Sequence, residues 1–335
     1  MSLAALLEKL AAGHLAADEI DSAFTIIMDG LAAHEEIKRF LTLTIPLMSD
    51  HAWIAGGARA LRARMLRVHA PEAAIDVCGT GGDGAHTLNI STAVAFVVAG
   101  AGVPVAKHGN RAMSSRSGAA DVLEALGVKL SGDVPTLERC LREAGVAFLF
   151  AQNHHPAMRH VALARRALGT RTIFNLLGPL ANPAGVKRQL VGVFALEYLE
   201  PMAEALRELG CERALVVHGA GGLDELSAAG ADANSVAMLE AGTITLQVAT
   251  LAAEVDPDLR GAGADENAEE MRALLGGGGR PGHRAAVLVN AAAALFAAGR
   301  AASVVEAHAL ATRTLESAAP SAALEQLIAI TQAAP

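Results

Sequence analysis

Residues 132–150 read GDVPTLERCLREAGVAFLF, and the order of their signals decides the architecture. Asp133 can cap a helix, Pro135 suits its first turn, and Gly145 stops it before an apolar strand. Strand–helix–strand units of this kind build a mostly parallel sheet with helices on its faces. Short apolar runs recur along the chain between helical segments: AAIDVC (73–78), VPVA (103–106), VAFLF (146–150), QLVGVF (189–194) and ALVVH (214–218). TITLQV (243–248) reads as a strand outside the crossover pattern and is compatible with a hairpin. GGGGRPG (276–282) reads as a flexible loop before a helix that starts near Ala285.

Before this alternation begins, residues 1–70 are helical in pattern. Ile20, Phe24, Ile27 and Met28, then Ile37, Phe40 and Leu41, recur at three- and four-residue spacing. The expected fold class is therefore α/β. A small N-terminal helical domain (1–70, with part of 160–188 packed on it) precedes a larger α/β domain (71–335) whose mostly parallel central sheet is flanked by helices.

The chain has 335 residues, 52% of them hydrophobic and 19% charged, with a formal net charge of −8, which excludes a disordered polymer and argues against an extended nucleic-acid surface. No apolar run reaches the roughly 18 residues of a spanning helix, so no membrane partner is expected. The first twenty residues lack a basic segment ahead of an apolar one, so they do not read as a signal peptide. Cys78, Cys140 and Cys211 are odd in number and far apart, which suits buried, reduced thiols in the cytoplasm.

Residues 76–92, DVCGTGGDGAHTLNIST, contain a formal G-x-G-x-x-G at Gly79, Gly81 and Gly84. A dinucleotide site needs the third glycine in the first turn of a helix and an acid roughly 20 positions on. Here the loop runs on through AHTLNIST, and residues 96–106 contain no carboxylate. Glycines that turn backbone N–H groups inward make an anion nest instead, with Asn89, Ser91 and Thr92 adding donors at a helix start. Asp83 would repel a phosphate unless a cation or a sugar hydroxyl intervened, which suggests a phosphorylated ribose or Mg²⁺. Lys107, His108, Arg111 and Arg116 then lie beside Gly109, Ser114, Ser115 and Ser117, a mixture of charge and short donors that suits a diphosphate.

GTGGDG, NIST and KHGNR, in this order, resemble the anthranilate phosphoribosyltransferases of tryptophan synthesis, which join anthranilate to phosphoribosyl pyrophosphate. The likeness continues through residues 154–184, GLDELS (222–227) and DENAEEM (265–271). The resemblance implies that phosphoribosyl pyrophosphate meets Gly79, Gly82, Asp83, Thr87, Asn89, Ile90, Ser91 and Thr92. It also implies contacts to Lys107, His108, Gly109, Asn110, Arg111, Ala112, Met113, Ser114, Ser115 and Ala119. It places anthranilate on Gly79, Asn110 and Arg165, and Mg²⁺ on Ser91, Asp224 and Glu225. His155 and Pro179 stand as candidates either for the path of anthranilate or for packing.

Two positions depart from the family pattern: Arg116 stands where Lys is common, and Ala119 where Ser is frequent. The carboxylate pair also has a chemical reading of its own, because Mg²⁺ is bound by one or two carboxylates completed by substrate phosphate and water. Of the two adjacent arginines, Arg165 and Arg166, one is expected to face the site and the other the solvent. The implied reaction displaces pyrophosphate at the anomeric carbon through an oxocarbenium-like transition state, with no general base and with Lys107 among the groups that stabilise charge. A homodimer through helices at residues 18–45 is expected, and no nucleic-acid partner. A pyrimidine nucleoside phosphorylase is the nearest alternative, disfavoured by KHGN and GLDE. A non-catalytic nucleic-acid-binding relative is disfavoured by the acidic balance and by the presence of Asn110 and Arg165.

Overall fold

The computed structural model describes residues 1–112, 116–130, 132–228, 234–249 and 258–333. The deciding stretch folds as its residues demand. Asp133 accepts the Thr136 N–H at 2.9 Å, Pro135 sits in the first turn, and Gly145 leaves the helix at φ 70°. The strand that follows is buried along its whole length.

Helices α1 (Leu3–Ala12), α2 (Ala17–Met28), α3 (His34–Thr44) and α4 (His51–Arg62) come first. There follow β1 (Ile75–Gly79), α5 (Ile90–Gly100), β2 (Val105–Gly109), α6 (Ala119–Ala125), α7 (Val134–Glu143) and β3 (Val146–Phe150). A helical stretch, α8 (Ala151–His154) and α9 (Arg159–Leu168), leads to β4 (Arg188–Gly192), α10 (Leu199–Glu208) and β5 (Arg213–His218). A hairpin of β6 (Asn234–Glu240) and β7 (Thr243–Ala249) precedes α11 (Ala264–Leu275), α12 (Pro281–Ala297), α13 (Val304–Leu315) and α14 (Ala319–Gln332). None of the described helices is long and apolar enough to cross a membrane.

The seven strands lie in the order β3-β2-β1-β4-β5-β6-β7. The first five in that order run parallel; β6 and β7 are antiparallel to their neighbours. Alternation along the central strands divides the interior in two. Leu190, Leu215 and Val217 enter a core with α5, α11, α12 and α14, whereas Val191, Ala214 and Val216 enter one with α10 and the N-terminal helices. The second core also holds Val161 and Ala164 of α9 with Ile173, Phe174 and Leu177. Phe24 is its hub, 5.1 Å from Phe40 and 6.0 Å from Phe174 between ring centroids.

Two features differ from the sequence expectation. β6 is a strand that the sequence did not announce, and it makes TITLQV the second arm of a hairpin turned by Ala241 and Gly242, both at positive φ. α12 starts at Pro281, four residues before Ala285, because proline fits the first helical turn, where its missing N–H costs no hydrogen bond.

The connections reverse between β1 and β4. The chain leaves β1 for β2 and β3 on one side, and leaves β4 for β5 on the other. Such a switch point opens a crevice at the carboxyl ends of the two strands, where open α/β sheets bind ligands. Gly79 and Gly192 are register partners at those ends.

Replacing the α7 cap, Asp133→Ala, should lower unfolding free energy by about 1 kcal/mol. Urea titration should show an earlier midpoint at unchanged slope, with activity per folded molecule intact.

Candidate active site

The crevice is crossed by its own chain. After β5 the backbone turns through Gly221 and Gly222, both at positive φ, and residues 223–227 return over the ends of β1 and β4. Space for this crossing depends on three missing side chains. A Cβ at Gly192 would collide with the Asp224 carbonyl, one at Gly79 with the Asp224 carboxylate, and one at Gly219 with the Glu225 carbonyl. Asn290 of α12 fastens the far side: its Oδ1 accepts the Leu226 N–H at 2.9 Å and its Nδ2 donates to the Leu226 carbonyl at 2.8 Å. Asn234 accepts the N–H groups of Ala220 (3.2 Å) and Ser227 (2.8 Å).

Asp224 and Glu225 are thereby aimed at two different backbone turns. Asp224 Oδ2 accepts the Gly81 N–H at 2.7 Å, and Glu225 Oε1 accepts the Ser91 N–H at 3.1 Å. Asp83 stands close by, its Oδ2 3.5 Å from the Asp224 nitrogen. Burial, then the charge of Asp83, pushes the Asp224 carboxyl above the usual range; burial, then the charge of Asp224, does the same to Glu225. Lys107 opposes this at Glu225: it is buried, donating to the Val77 carbonyl at 2.7 Å and to Ser91 Oγ at 3.2 Å. Among the described residues no group of three or more His, Cys, Asp or Glu side chains is arranged to hold an ion alone. Two carboxylates that resist joint ionisation, beside a serine hydroxyl, could still supply part of an oxygen shell. That incomplete shell fits Mg²⁺, which takes its remaining ligands from phosphate and water.

On the other wall, Gly81, Gly82 and Gly84 all have positive φ, as a nest requires. The Thr80 N–H is taken by the Gly192 carbonyl at 2.9 Å and the Gly81 N–H by Asp224. The N–H groups of Gly82, Asp83 and Gly84 have no acceptor among the described residues. Nor has Thr92 Oγ1, a buried hydroxyl in the first turn of α5. Thr87 pairs with Arg260 in an isolated bridge. The side chain of Asn89 is a strut: it accepts from Asn267 Nδ2 at 3.0 Å and donates to the Ser117 carbonyl at 3.2 Å.

The segment that begins at Lys107 departs from its reading as a row of charges around a diphosphate. His108 Nδ1 lies 2.9 Å from the Gly178 carbonyl, and its Nε2 lies 3.2 Å from His155 Nε2. Burial pushes His108 down to about 3 and His155 to about 4, so this pair is neutral near pH 7. Arg111 is bound to Asp121 at 2.9 Å and to Glu124, 5.5 Å from the Phe150 ring centroid. Asn110 is exposed and accepts the Arg111 N–H at 2.8 Å; Gly109 ends β2, Ala112 donates its N–H to Asp121 at 3.1 Å, and Ala119 starts α6. Met113, Ser114 and Ser115 lie outside the described residues.

Arg165 is half-buried on α9 and Arg166 exposed. The Arg165 guanidinium lies 5.9 Å from the Phe174 ring centroid and 3.4 Å from Asn175 Oδ1, with no carboxylate partner among the described residues. Burial works against its charge and lowers its pKa. Such a cation suits a ligand carboxylate.

Sequence reasoning missed the supports of the site. Gly192 lies in the apolar run QLVGVF, and Asn290 interrupts the apolar stretch of α12. Each carried a signal, one residue out of character with its run, but neither signal named a partner.

Residues 71–320 match the family described as glycosyl transferase family, a/b domain. An anthranilate phosphoribosyltransferase of Afipia carboxidovorans is 48% identical over 335 residues, covering 98% of each chain. The crystal structure of anthranilate phosphoribosyltransferase from Thermus thermophilus superposes with a TM-score of 0.89 at 40% identity, covering 98% of this chain and 99% of that one. The Saccharomyces cerevisiae enzyme in complex with PRPP and Mg gives a TM-score of 0.85 at 25% identity, covering 99% and 98% respectively.

The raised carboxyls have a consequence for stability. The folded chain holds protons at Asp224 and Glu225 that the unfolded chain releases near pH 4 (roughly). The stability they contribute is full below that value and is lost as pH climbs through their folded values. Without divalent ions, Tm of the wild type should therefore fall more than that of Glu225→Gln between about pH 5 and 8. Added Mg²⁺ should recover the wild type at the upper end and the variant less.

Proposed function

The chain belongs to the anthranilate phosphoribosyltransferases, and on that premise we propose how its residues divide the reaction in which the phosphoribosyl group of 5-phosphoribosyl 1-pyrophosphate passes to the amine of anthranilate. One observation carries the assignment. At the β1/β4 switch point, donors of Gly82, Asp83, Gly84 and Thr92 that have no acceptor among the described residues lie in the same two turns whose Gly81 and Ser91 N–H groups meet the carboxylates of Asp224 and Glu225. A diphosphate needs the first set, and a divalent ion that accompanies it needs the second.

The glycine loop and the first turn of α5 take the phosphates of the donor, with Thr87, residues 107–112 and Ala119 beside them. Lys107 acts from within the fold, making the potential at Ser91 and Glu225 more positive rather than reaching into the solvent. Arg111 contributes backbone and shape, since its guanidinium is held by Asp121 and Glu124. Ser91, Asp224 and Glu225 would hold Mg²⁺, which would supply neutralisation of the diphosphate charge.

Anthranilate brings a carboxylate to Arg165, with Asn110 and Gly79 fixing the ring so that its nitrogen meets the anomeric carbon. The nitrogen lone pair forms the C–N bond. The C–O bond to diphosphate breaks with its electrons going to the leaving oxygen, and the new ammonium loses a proton to water. An aryl amine is neutral at pH 7 and nucleophilic, so no basic side chain is needed; the neutral His108–His155 pair packs the wall of the site. Catalysis rests on alignment and on stabilised leaving-group charge.

The helical layer exposes Leu31, Ile45 and Leu163, which suits a second copy of the chain and a homodimer in the cytoplasm.

Loss of anthranilate fluorescence on adding donor and Mg²⁺ is the direct assay. Asp224→Asn combined with Glu225→Gln should cost about a hundredfold in turnover, roughly 2.7 kcal/mol, and move the Mg²⁺ titration to higher concentration. An unchanged titration would remove the ion from this pair. Arg165→Ala should raise KM for anthranilate about thirtyfold, roughly 2 kcal/mol for a charge-assisted contact, while KM for the donor stays put. The opposite split would assign Arg165 to the donor.

A further inference from the structure

Arg171 belongs to none of the ligand sets above, yet its side chain touches the glycine loop. Its Nη2 donates to the Gly82 carbonyl, and its guanidinium lies 4.2 Å from the centroid of Phe194. Phe194 is braced in turn: its N–H donates to Thr80 Oγ1 at 3.1 Å, and its ring packs edge-on against Tyr198, centroids 4.9 Å apart. Arg171 forms no ion pair among the described residues. An exposed arginine on a mere surface would pair with a carboxylate or extend into water; this one lies flat on an aromatic ring and grips a carbonyl.

The carbonyl it grips is informative. In a trans peptide the C=O and the next N–H point to opposite sides of one plane. Pinning the Gly82 oxygen toward Arg171 therefore turns the Asp83 N–H away from it. That N–H is one of the three without an acceptor. Gly82 itself has φ 77°, so it contributes little stiffness of its own.

The other end of the link lies with Arg165. The Gly169 N–H returns to the Arg165 carbonyl at 3.2 Å, and the Thr172 N–H donates at 2.9 Å to the same Asn175 Oδ1 that faces the Arg165 guanidinium. The short segment that carries Arg171 is thus pinned on both sides by contacts to Arg165 and its partner.

We infer that Arg171 is a positioning residue for the diphosphate loop: it fixes the Gly82–Asp83 peptide plane and ties that loop to the segment holding Arg165, so that donor and acceptor sites sense each other. The inference rests on the reading that the donor lies in this loop. If two sites share a rigid link, each ligand alters the affinity of the other by the same factor.

The test uses the full chain with Arg171→Ala, Arg171→Lys and Phe194→Leu, and Thr92→Val as a probe of the donor site itself. Arg171→Ala should raise KM for the donor about tenfold, equivalent to roughly 1.4 kcal/mol, with the affinity for anthranilate in the absence of donor and Tm both unchanged. Arg171→Lys should restore part of the loss, and Arg171→Ala with Phe194→Leu should cost less than the sum of the two. Titration of each substrate in the absence and presence of the other should show the mutual effect shrink in Arg171→Ala. A drop in Tm with both KM values unmoved would make Arg171 structural only and overturn the inference. If Thr92→Val raises donor KM and Arg171→Ala does not, the inference alone falls. If neither does, the donor does not lie in this cradle and both fall.

Discussion

Everything at the site follows from one crossing: residues 223–227 run over the ends of β1 and β4 and place two carboxylates in a crevice that has little room or solvent for them. Three glycines admit the segment, and two buried asparagines hold it. The carboxylates are each met by one backbone N–H, from Gly81 and from Ser91, and the charge of Lys107 acts on Glu225. These contacts offset the desolvation of one negative charge more readily than of two, with Asp83 adding a third nearby. On the proposed assignment that electrostatic imbalance suits a divalent ion, and the same crossing ties down the Gly81 N–H of the glycine loop and the Ser91 N–H of the α5 first turn.

Much of the frame was legible because buried parallel strands are apolar on both faces and therefore announce themselves as short continuous runs. AAIDVC, VAFLF and ALVVH each became strands for that reason. NSVAMLE did not announce β6: its faces alternate in burial, and its turn, Ala241–Gly242, lacks the Asn-Gly or Asp-Gly pair that marks a tight hairpin. The loop before α12 was drawn too long because Pro281 and Gly282 look like breakers, although proline is at home in a first turn.

The candidate site was legible as positions and less so as side-chain roles. Asn89 reads as a donor for phosphate but is bound between Asn267 and the Ser117 carbonyl; Arg111 reads as a cation for diphosphate but is bound by Asp121 and Glu124. Such competition cannot be seen in a motif, since the competing partners depend on which face of a later helix returns to the loop. The supports were harder still. Asn290 meets Leu226 from 64 residues away, and Asn182 meets the buried Asp76 carboxylate at 2.7 Å from 106 away. Asp76 interrupts an apolar strand, accepts the His108 N–H at 3.0 Å, and so replaces a ladder bond beyond the single register pair of β1 with β2. A polar residue in an apolar run signals a fixed partner, and only the fold says which.

A chain with net charge −8 that takes a polyanionic donor looks like an electrostatic contradiction. It is resolved locally, because potentials inside a crevice depend on the nearest fixed dipoles and charges rather than on the total. Amides and a threonine hydroxyl without partners among the described residues supply positive potential on one wall, the buried lysine adds to it beside Ser91, and the acidic wall carries the opposite sign. A ligand that is purely anionic would gain from the first wall and lose to the second. On the proposed assignment two carboxylates and one hydroxyl would leave half the positions around Mg²⁺ to water and phosphate oxygens, so the donor would add ligands that the protein alone does not supply. Ion and donor then raise each other's affinity by the same factor, and a free diphosphate or a free ion should each find this crevice a poorer home than the two together.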